Sequence, residues 1–389
     1  MHVVVLGGAG LTGRCAVRDL LETTSWDITV ADYAFEKAKE LAEQLKSKRI
    51  SVTQVDVKNI EETVKVIKDA DVVVNGVQYY FNIDVMKACL KAKVPYIDFG
   101  GLYHMTLKQL ELNEEFKKAG LTALIGMGAQ PGVSNLMIRY ATDKLDTVET
   151  VKIRDGWIDL TEGAPPFVVT WSFATIMDEI TLPAVVFENG AFKEVPPLTG
   201  KETVSFPEPV GQQEVYLTLH SELATIPKSF SKKGLKNCDW KEGGPDFIRY
   251  KLLRDMCLTS EKPIEIKGAK IPPKDFVLKT LEANNLIGFP KNVEPNDYEI
   301  TRVEVIGKRK GKKVTYVLDT IFPAKKEWRV SCSQYNVGVP ASIAAQMLIS
   351  ENVREKGVVP PEVCINPEPF FHELAKRNIY VYVQERFPV

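Results

Sequence analysis

Six residues near the start of the chain carry the clearest chemical signal, Gly8-Ala9-Gly10-Leu11-Thr12-Gly13. They follow the apolar run Val3–Leu6 directly and open a helix-like segment. Gly8 is expected to permit a tight turn, Gly10 to let backbone approach a diphosphate, and Gly13 to let helix and strand pack closely. The diphosphate then lies at a helix N-terminus, where free N–H groups and the dipole favour negative charge. Asp32 ends the next apolar run, at the spacing expected of an acid that grips the adenosine ribose. Its carboxylate would repel a 2′-phosphate and no arginine follows it immediately, so the pattern predicts NAD over NADP. Asp56, closing a third run, suits the adenine edge or is simply a solvated acid.

These residues need an alternating βα scaffold, and the first third of the chain reads as one. Strand-like segments are Val3–Leu6, Ile28–Ala31, Ser51–Val55, Val72–Asn75, Val94–Phe99 and Leu121–Ile125. Helix-like segments between them are Thr12–Leu21, Ala34–Leu45, Ile60–Lys68, Ile83–Ala92 and Leu107–Ala119. This predicts an α/β fold, a Rossmann doubly wound parallel sheet, over residues 1–130. Beyond Pro131, prolines punctuate short segments. Val148–Gly156, Val215–Leu219, Ile264–Ile266, Tyr298–Lys308 and Lys313–Ile321 read as strands, mostly alternating apolar with polar residues. An α+β substrate and dimerisation domain over 131–337 is expected as an insertion. Residues from about 338 to 389, with helical Pro340–Ile349 and Pro367–Arg377, would complete the first domain.

The length of 389 residues suits two domains, and 44% hydrophobic content supports a real core. Fifty basic residues against 51 acidic ones give no electrostatic reason to expect nucleic acid or an anionic membrane as partner. No run approaches the roughly 20 apolar residues of a membrane span, and no secretory leader is read at the start. Six scattered cysteines predict a reducing, cytoplasmic setting, and four unclustered histidines argue against a catalytic metal.

Two further stretches, DVVVNGVQYYFNIDVMKACLKAKVPYIDFGGLYHMT from Asp71 and GMGAQPGVSNLM from Gly126, resemble the saccharopine dehydrogenase family, within it the lysine 6-dehydrogenase branch. The likeness continues through TWSFATIMDEITLPAVVFENGAFKEVPPL, LATIPKSF and the tail GVPASIAAQMLI. It implies hydride exchange between NAD(P) and a carbon–nitrogen bond of a lysine-type amino acid, with a homodimer built through the second domain. Asn75 and Gly76 would then lie along the cofactor, and Tyr79 and Asn82 would bond substrate or carboxamide. Gln130-Pro131-Gly132 occupies the family's APG loop and would line the nicotinamide pocket; Asn135 would touch substrate or serve as a first-turn polar residue. Thr225 matches a family turn.

Ligands bind outside the carboxyl ends of an open parallel sheet. Asp98 stands at one such end and could stabilise a cationic imine or cap the turn that follows. His104 is a candidate base or a surface histidine, with Tyr103 behind it. A lysine-type substrate brings a carboxylate, so Arg154, Lys228, Arg249 and Lys251 are candidate partners or solvated charges. The family's RYxGH-like segment has no counterpart in Trp240–Ile248, where no histidine stands. The expected activity is therefore an amino-acid dehydrogenase, lysine 6-dehydrogenase first and saccharopine reductase second. A non-catalytic NAD-binding scaffold is the reading from another class.

Overall fold

The chain is described as a computed structural model covering residues 1–165, 167–290 and 292–388. The N-terminal half alternates β1 (His2–Leu6), α1 (Gly13–Thr23), β2 (Asp27–Asp32), α2 (Phe35–Leu45), β3 (Ile50–Gln54), α3 (Ile60–Ile67) and β4 (Val72–Asn75). It continues through α4 (Asn82–Ala92), β5 (Tyr96–Asp98), α5 (Leu102–Glu111), α6 (Asn113–Lys118), β6 (Thr122–Leu124) and α7 (Val133–Asp143). The helix expected over Leu107–Ala119 is two helices, the first starting five residues earlier.

Then follow β7 (Thr147–Asp159), α8 (Phe173–Thr181), β8 (Ala184–Glu188), β9 (Ala191–Val195), β10 (Glu202–Ser205), β11 (Gln212–Leu217) and α9 (Glu222–Ser229). After them come β12 (Asn237–Gly243), α10 (Phe247–Asp255), the hairpin β13 (Ile264–Ile266) and β14 (Ala269–Ile271), α11 (Pro273–Ala283), β15 (Asp297–Arg309) and β16 (Lys312–Pro323). The tail holds α12 (Cys332–Ile349), β17 (Gly357–Val359), α13 (Pro361–Cys364), α14 (Pro367–Ala375) and β18 (Tyr380–Arg386).

Seven strands form a parallel sheet in the order β17-β6-β5-β4-β1-β2-β3. Helices cover both faces, so Val3, Val4, Val5 and Leu6 are fully buried and the strands read as unbroken apolar runs. The second sheet has nine strands along β10-β11-β12-β7-β15-β16-β18, with β8 and β9 attached at β12. It is antiparallel except where β12 runs parallel to β7.

The tail divides between the two sheets. β17 adds a seventh strand beside β6, and α12 packs on α1. Gly338 makes that crossing close, since a Cβ there would lie 2.6 Å from the Cys15 Cβ. Arg377 grips buried Asp19 of α1 through two bonds of 2.7 and 2.9 Å. β18, by contrast, pairs with β16 and belongs to the second sheet. Val389, the last residue assigned to the completing segment, lies outside the described residues. No helix among the described residues is long and apolar enough to cross a membrane.

Candidate functional site

Two adjoining cavities lie where the carboxyl ends of β1, β4 and β5 meet the second domain. The first, about 340 Å3, runs from the glycine loop along the ends of β4 and β5. Gly10, Leu11, Thr12, Gly76, Gln130 and Pro131 line it. The turn is made by Gly7 rather than Gly8: Gly7 has φ +67°, and a Cβ there would lie 2.8 Å from Gly76 backbone. Gly8 instead lets strand and helix close, facing Val30 and Val17. At Gly13 a Cβ would fall 2.2 Å from the Gly7 carbonyl oxygen, so only glycine keeps this loop against the helix. These bare backbone surfaces form a cradle that fits a dinucleotide diphosphate at the start of α1.

Asp32 sits at the end of β2 beside that loop and accepts hydrogen bonds from the Ala9 and Ala34 backbone N–H groups at 3.1 and 2.9 Å. The second bond holds the turn into α2; the first ties the acid to the cradle. Asp56 caps its own turn by accepting from the Lys58 N–H at 3.0 Å and lines neither cavity.

Several expected site residues prove to be framework. Asp98 is 1% exposed, and its Oδ1 accepts from the Gly100 and Gly126 N–H groups at 2.9 and 2.7 Å. Its Oδ2 takes the Tyr96 hydroxyl at 2.8 Å and the Gln109 amide. Burial raises this carboxyl, while those four donors oppose the rise. The side chain serves the turn below the cavity and does not reach its lining. Asn75 donates to Asn82 and to the Tyr96 hydroxyl, both at 3.0 Å, and Asn82 donates to the Gly100 carbonyl at 3.1 Å. Neither asparagine lines a cavity. Asn135 accepts the Gly132 N–H at 3.0 Å and donates to Glu362 at 2.8 Å, which closes the start of α7. Gly132 is required there by its φ of +130° and its approach to Gly128.

The expected carboxylate partners lie elsewhere as well. Arg154 points to the outer face of the second sheet, bonded to both Asp239 oxygens at 2.9 Å and to Glu202 at 3.0 Å. Lys228 and Lys251 are exposed, and Arg249 pairs with Asp246 beside it on the surface. Thr225 is buried inside α9, away from both cavities. His104 falls in a separate surface pocket with Tyr80 and Asp178; burial lowers its proton affinity, with Lys108 adding to the effect. Tyr79 alone of the three proposed catalytic residues borders the first cavity, its hydroxyl donating to Asp178 at 3.0 Å.

The second cavity, about 120 Å3, was not foreseen. Strand register builds it. Glu242 pairs with Asp155, Asp155 with Thr301, and Trp157 with Glu299, so these side chains share one face of the sheet with Trp240. Asp297 and Glu179 complete an acidic wall, and Trp171, Phe247 and Tyr250 complete an aromatic one. The opposite face carries the cations, where Arg302 and Arg154 are spent on ion pairs. No lysine or arginine lines either cavity among the described residues. Burial pushes Asp155, Glu179 and Glu242 upward, and neighbouring carboxylates add to the rise. Such a wall is matched by a cationic ligand. Asn336 also faces it, 1% exposed and beside Glu299.

Gln130, Trp171, Glu179, His220 and Val337 border both cavities. Gln130 donates to Asp155 at 2.8 Å and to Thr301, tying the loop after β6 to the second sheet. Sequence reading passed over the acids because it looked for cations to meet a carboxylate. The available signal was acid and aromatic at alternate positions, Trp240 and Glu242, Asp155 and Trp157, with the two acids Asp297 and Glu299 at the same spacing. Among the described residues no group of His, Cys, Asp and Glu is placed to hold a metal.

Comparison with known proteins agrees with this architecture. Residues 3–124 match the saccharopine dehydrogenase NADP binding domain and residues 128–379 the saccharopine dehydrogenase C-terminal domain. The carboxynorspermidine synthase of Vibrio cholerae is 26% identical over 93% of this chain and 91% of its own length. The carboxyaminopropylagmatine dehydrogenase of Synechocystis is 25% identical over 97% and 96%. These relatives bear carboxylated polyamine names, where the motifs had suggested the lysine 6-dehydrogenase branch. The apo saccharopine dehydrogenase (L-Glu forming) of Saccharomyces cerevisiae shares the fold at TM-score 0.76, with 19% identity over 99% of both chains. The homospermidine synthase of Legionella pneumophila in complex with NAD superposes at TM-score 0.68, 16% identical, over 100% of this chain and 91% of its own. With both of its domains matched and its fold shared from end to end, the chain belongs to the saccharopine dehydrogenase family of oxidoreductases.

Proposed function

We propose that this oxidoreductase makes or breaks the secondary-amine bond between an aliphatic di- or polyamine and a carboxylated carbon chain, with a nicotinamide dinucleotide as redox partner. The observation that carries the reading is the second cavity: carboxylates and aromatic rings converge on it with no lysine or arginine in its lining among the described residues. Alkylammonium groups fit that lining twice over, since carboxylates balance their charge and indole faces attract them. Lysine is a poorer fit, because its own carboxylate would meet an acidic wall. The names of the relatives from Vibrio cholerae and Synechocystis point the same way.

Within this reading the chain's residues divide the work. The glycine loop and Gly76 hold the dinucleotide, and Asp32 favours NAD by meeting the ribose hydroxyls. When bound, the dinucleotide supplies or accepts a hydride. Gln130 and Tyr79 border its cavity and shape the approach, while Glu179, Glu242 and Glu299 hold the amine so that its reacting carbon reaches the seam. Holding reactants in line is worth about 7–11 kcal/mol in well-aligned reactions. Trp171 at the seam excludes water from the imine. Assembly as a homodimer is part of this proposal, and sedimentation of the purified chain tests it.

The test is a turnover screen. Reduced dinucleotide is offered with 1,3-diaminopropane, putrescine, agmatine or lysine, each paired with a short carboxylated aldehyde. Oxidation of the dinucleotide with the diamines or agmatine is the expected result. Activity confined to lysine or saccharopine would refute the polyamine assignment, and dinucleotide binding without turnover of any amine would favour the scaffold reading.

A further inference from the structure

His220 occupies the seam between the two cavities, 7% exposed. Its Nδ1 is committed to Glu222, whose other oxygen accepts the Ser134 hydroxyl at 2.8 Å. Glu222 and Ser134 are both fully buried, so this pairing is screened from water. The imidazole lies flat on the Trp240 indole, centroids 3.9 Å apart and planes 11° from parallel. Trp240 is itself pinned by donating its indole N–H to Thr218 at 3.0 Å. Stacking and the Glu222 bond together leave the ring one orientation. In it, Nε2 turns towards Glu179 at 3.9 Å, too far for a hydrogen bond. A ring nitrogen is thus oriented and held open where substrate and dinucleotide cavities meet.

We infer that His220 gives a proton to, and takes it from, the reacting substrate nitrogen, with Glu222 and Ser134 as its positioning residues. The inference rests on the carbon–nitrogen reading above. In the reducing direction a hydride from the reduced dinucleotide reaches the carbon of the protonated imine (C=N⁺–H). The C=N electron pair withdraws onto nitrogen, and His220 Nε2 supplies the proton that nitrogen then binds. The products are the protonated secondary amine, a neutral imidazole and the oxidised dinucleotide. The ring regains its proton from solvent. In reverse, the neutral ring first takes a proton from the ammonium, freeing the lone pair that drives hydride out of the C–H bond.

The surroundings suit both states. Burial works against a charged ring, but Glu222 opposes it most strongly, Glu242 and Glu299 add to the effect, and the net direction is upward. Glu179 on α8 also faces the ring, and Asp155 and Asp297 line the same cavity. A bound polyammonium neutralises Glu242, Glu299 and Glu179 and brings the ring back towards neutrality, where it exchanges protons most efficiently.

The chain has four histidines, so NMR can follow this ring, with His220→Gln identifying its signal. In the free protein the signal should titrate above the ordinary histidine range, and Glu222→Gln should move it down. In turnover, His220→Gln should keep the dinucleotide dissociation constant within about twofold while kcat falls about 10²–10⁴-fold and its pH dependence flattens. Glu222→Gln should shift the pH profile with a smaller loss. Unchanged kcat and pH profile in His220→Gln would overturn the inference. If the unaltered enzyme turns over no polyamine, the substrate assignment fails, and the NMR arm still decides His220. A ring that does not titrate between about pH 5 and 9, or that ignores Glu222→Gln, refutes its role.

Discussion

Glu299→Gln should strengthen the empty protein and weaken its hold on amines at the same time. Burial pushes the Glu299 carboxyl from about 4.5 up to about 7, and Asp297 and Glu242 add to the rise. At 1.36 kcal/mol for each pKa unit, this corresponds to about 3 kcal/mol. The folded value lies above the unfolded one, so the folded state binds the proton more tightly. The acid therefore costs little below its ordinary value, and stability falls as pH rises through about 7. Glutamine carries no charge to desolvate. The variant should gain about 1–3 kcal/mol at pH 8 and less than about 1 kcal/mol at pH 5, read as a pH-dependent rise in thermal midpoint. Its affinity for 1,3-diaminopropane or agmatine should fall about 10- to 100-fold, the worth of a hydrogen bond between charged groups. Calorimetry on the same samples should also show proton release when the unaltered protein binds a diamine near neutral pH. An unchanged midpoint at pH 8 would refute the account of a strained carboxylate wall. Undiminished diamine binding would refute its role in recognition.

Other consequences can be checked as directly. Asp32→Ala should weaken NAD much more than NADP in fluorescence titrations; equal losses would show that the acid does not set the preference. Gly13→Ala should abolish dinucleotide binding, because its Cβ would sit 2.2 Å from the Gly7 oxygen and push the loop out of place. Asp98→Asn should lower the thermal midpoint, with a cost of about 2–4 kcal/mol from broken buried bonds, yet leave the pH profile of kcat where it was. A shifted profile would restore Asp98 to the chemistry. Arg154→Met should lower the thermal midpoint, because Asp239 and Glu202 lose their buried partner, without changing KM for amines.

The dinucleotide half of the protein was legible in the residues because its signals are local. Val3–Leu6, the glycines to Gly13, and Asp32 lie within one βαβ unit, where strand period, turn chemistry and helix start are all set by near neighbours. Even there, which glycine makes the turn depended on a long-range contact, the approach of Gly76 from β4 to Gly7. The same limit explains Asp98. A strand-end acid reads alike whether it meets substrate or the four backbone and side-chain donors of Gly100, Gly126, Tyr96 and Gln109.

Tertiary structure decided everything about the acidic cavity of the second domain. Asp155, Glu179, Glu242 and Glu299 are spread over about 145 residues, and each alone reads as a solvated strand or helix charge. Sheet register turns one face of β12, β7 and β15 inward with its acids and indoles and sends their arginines outward. His220 has a local partner in Glu222 two residues on, but only the arrival of Ser134 and Trp240 from other elements fixes the pair and the plane of the ring. Period-two patterning determined that these strands have two different faces. Which face would close over a cavity depended on pairing partners far away in the chain, and that choice fixed the sign of charge offered to a ligand.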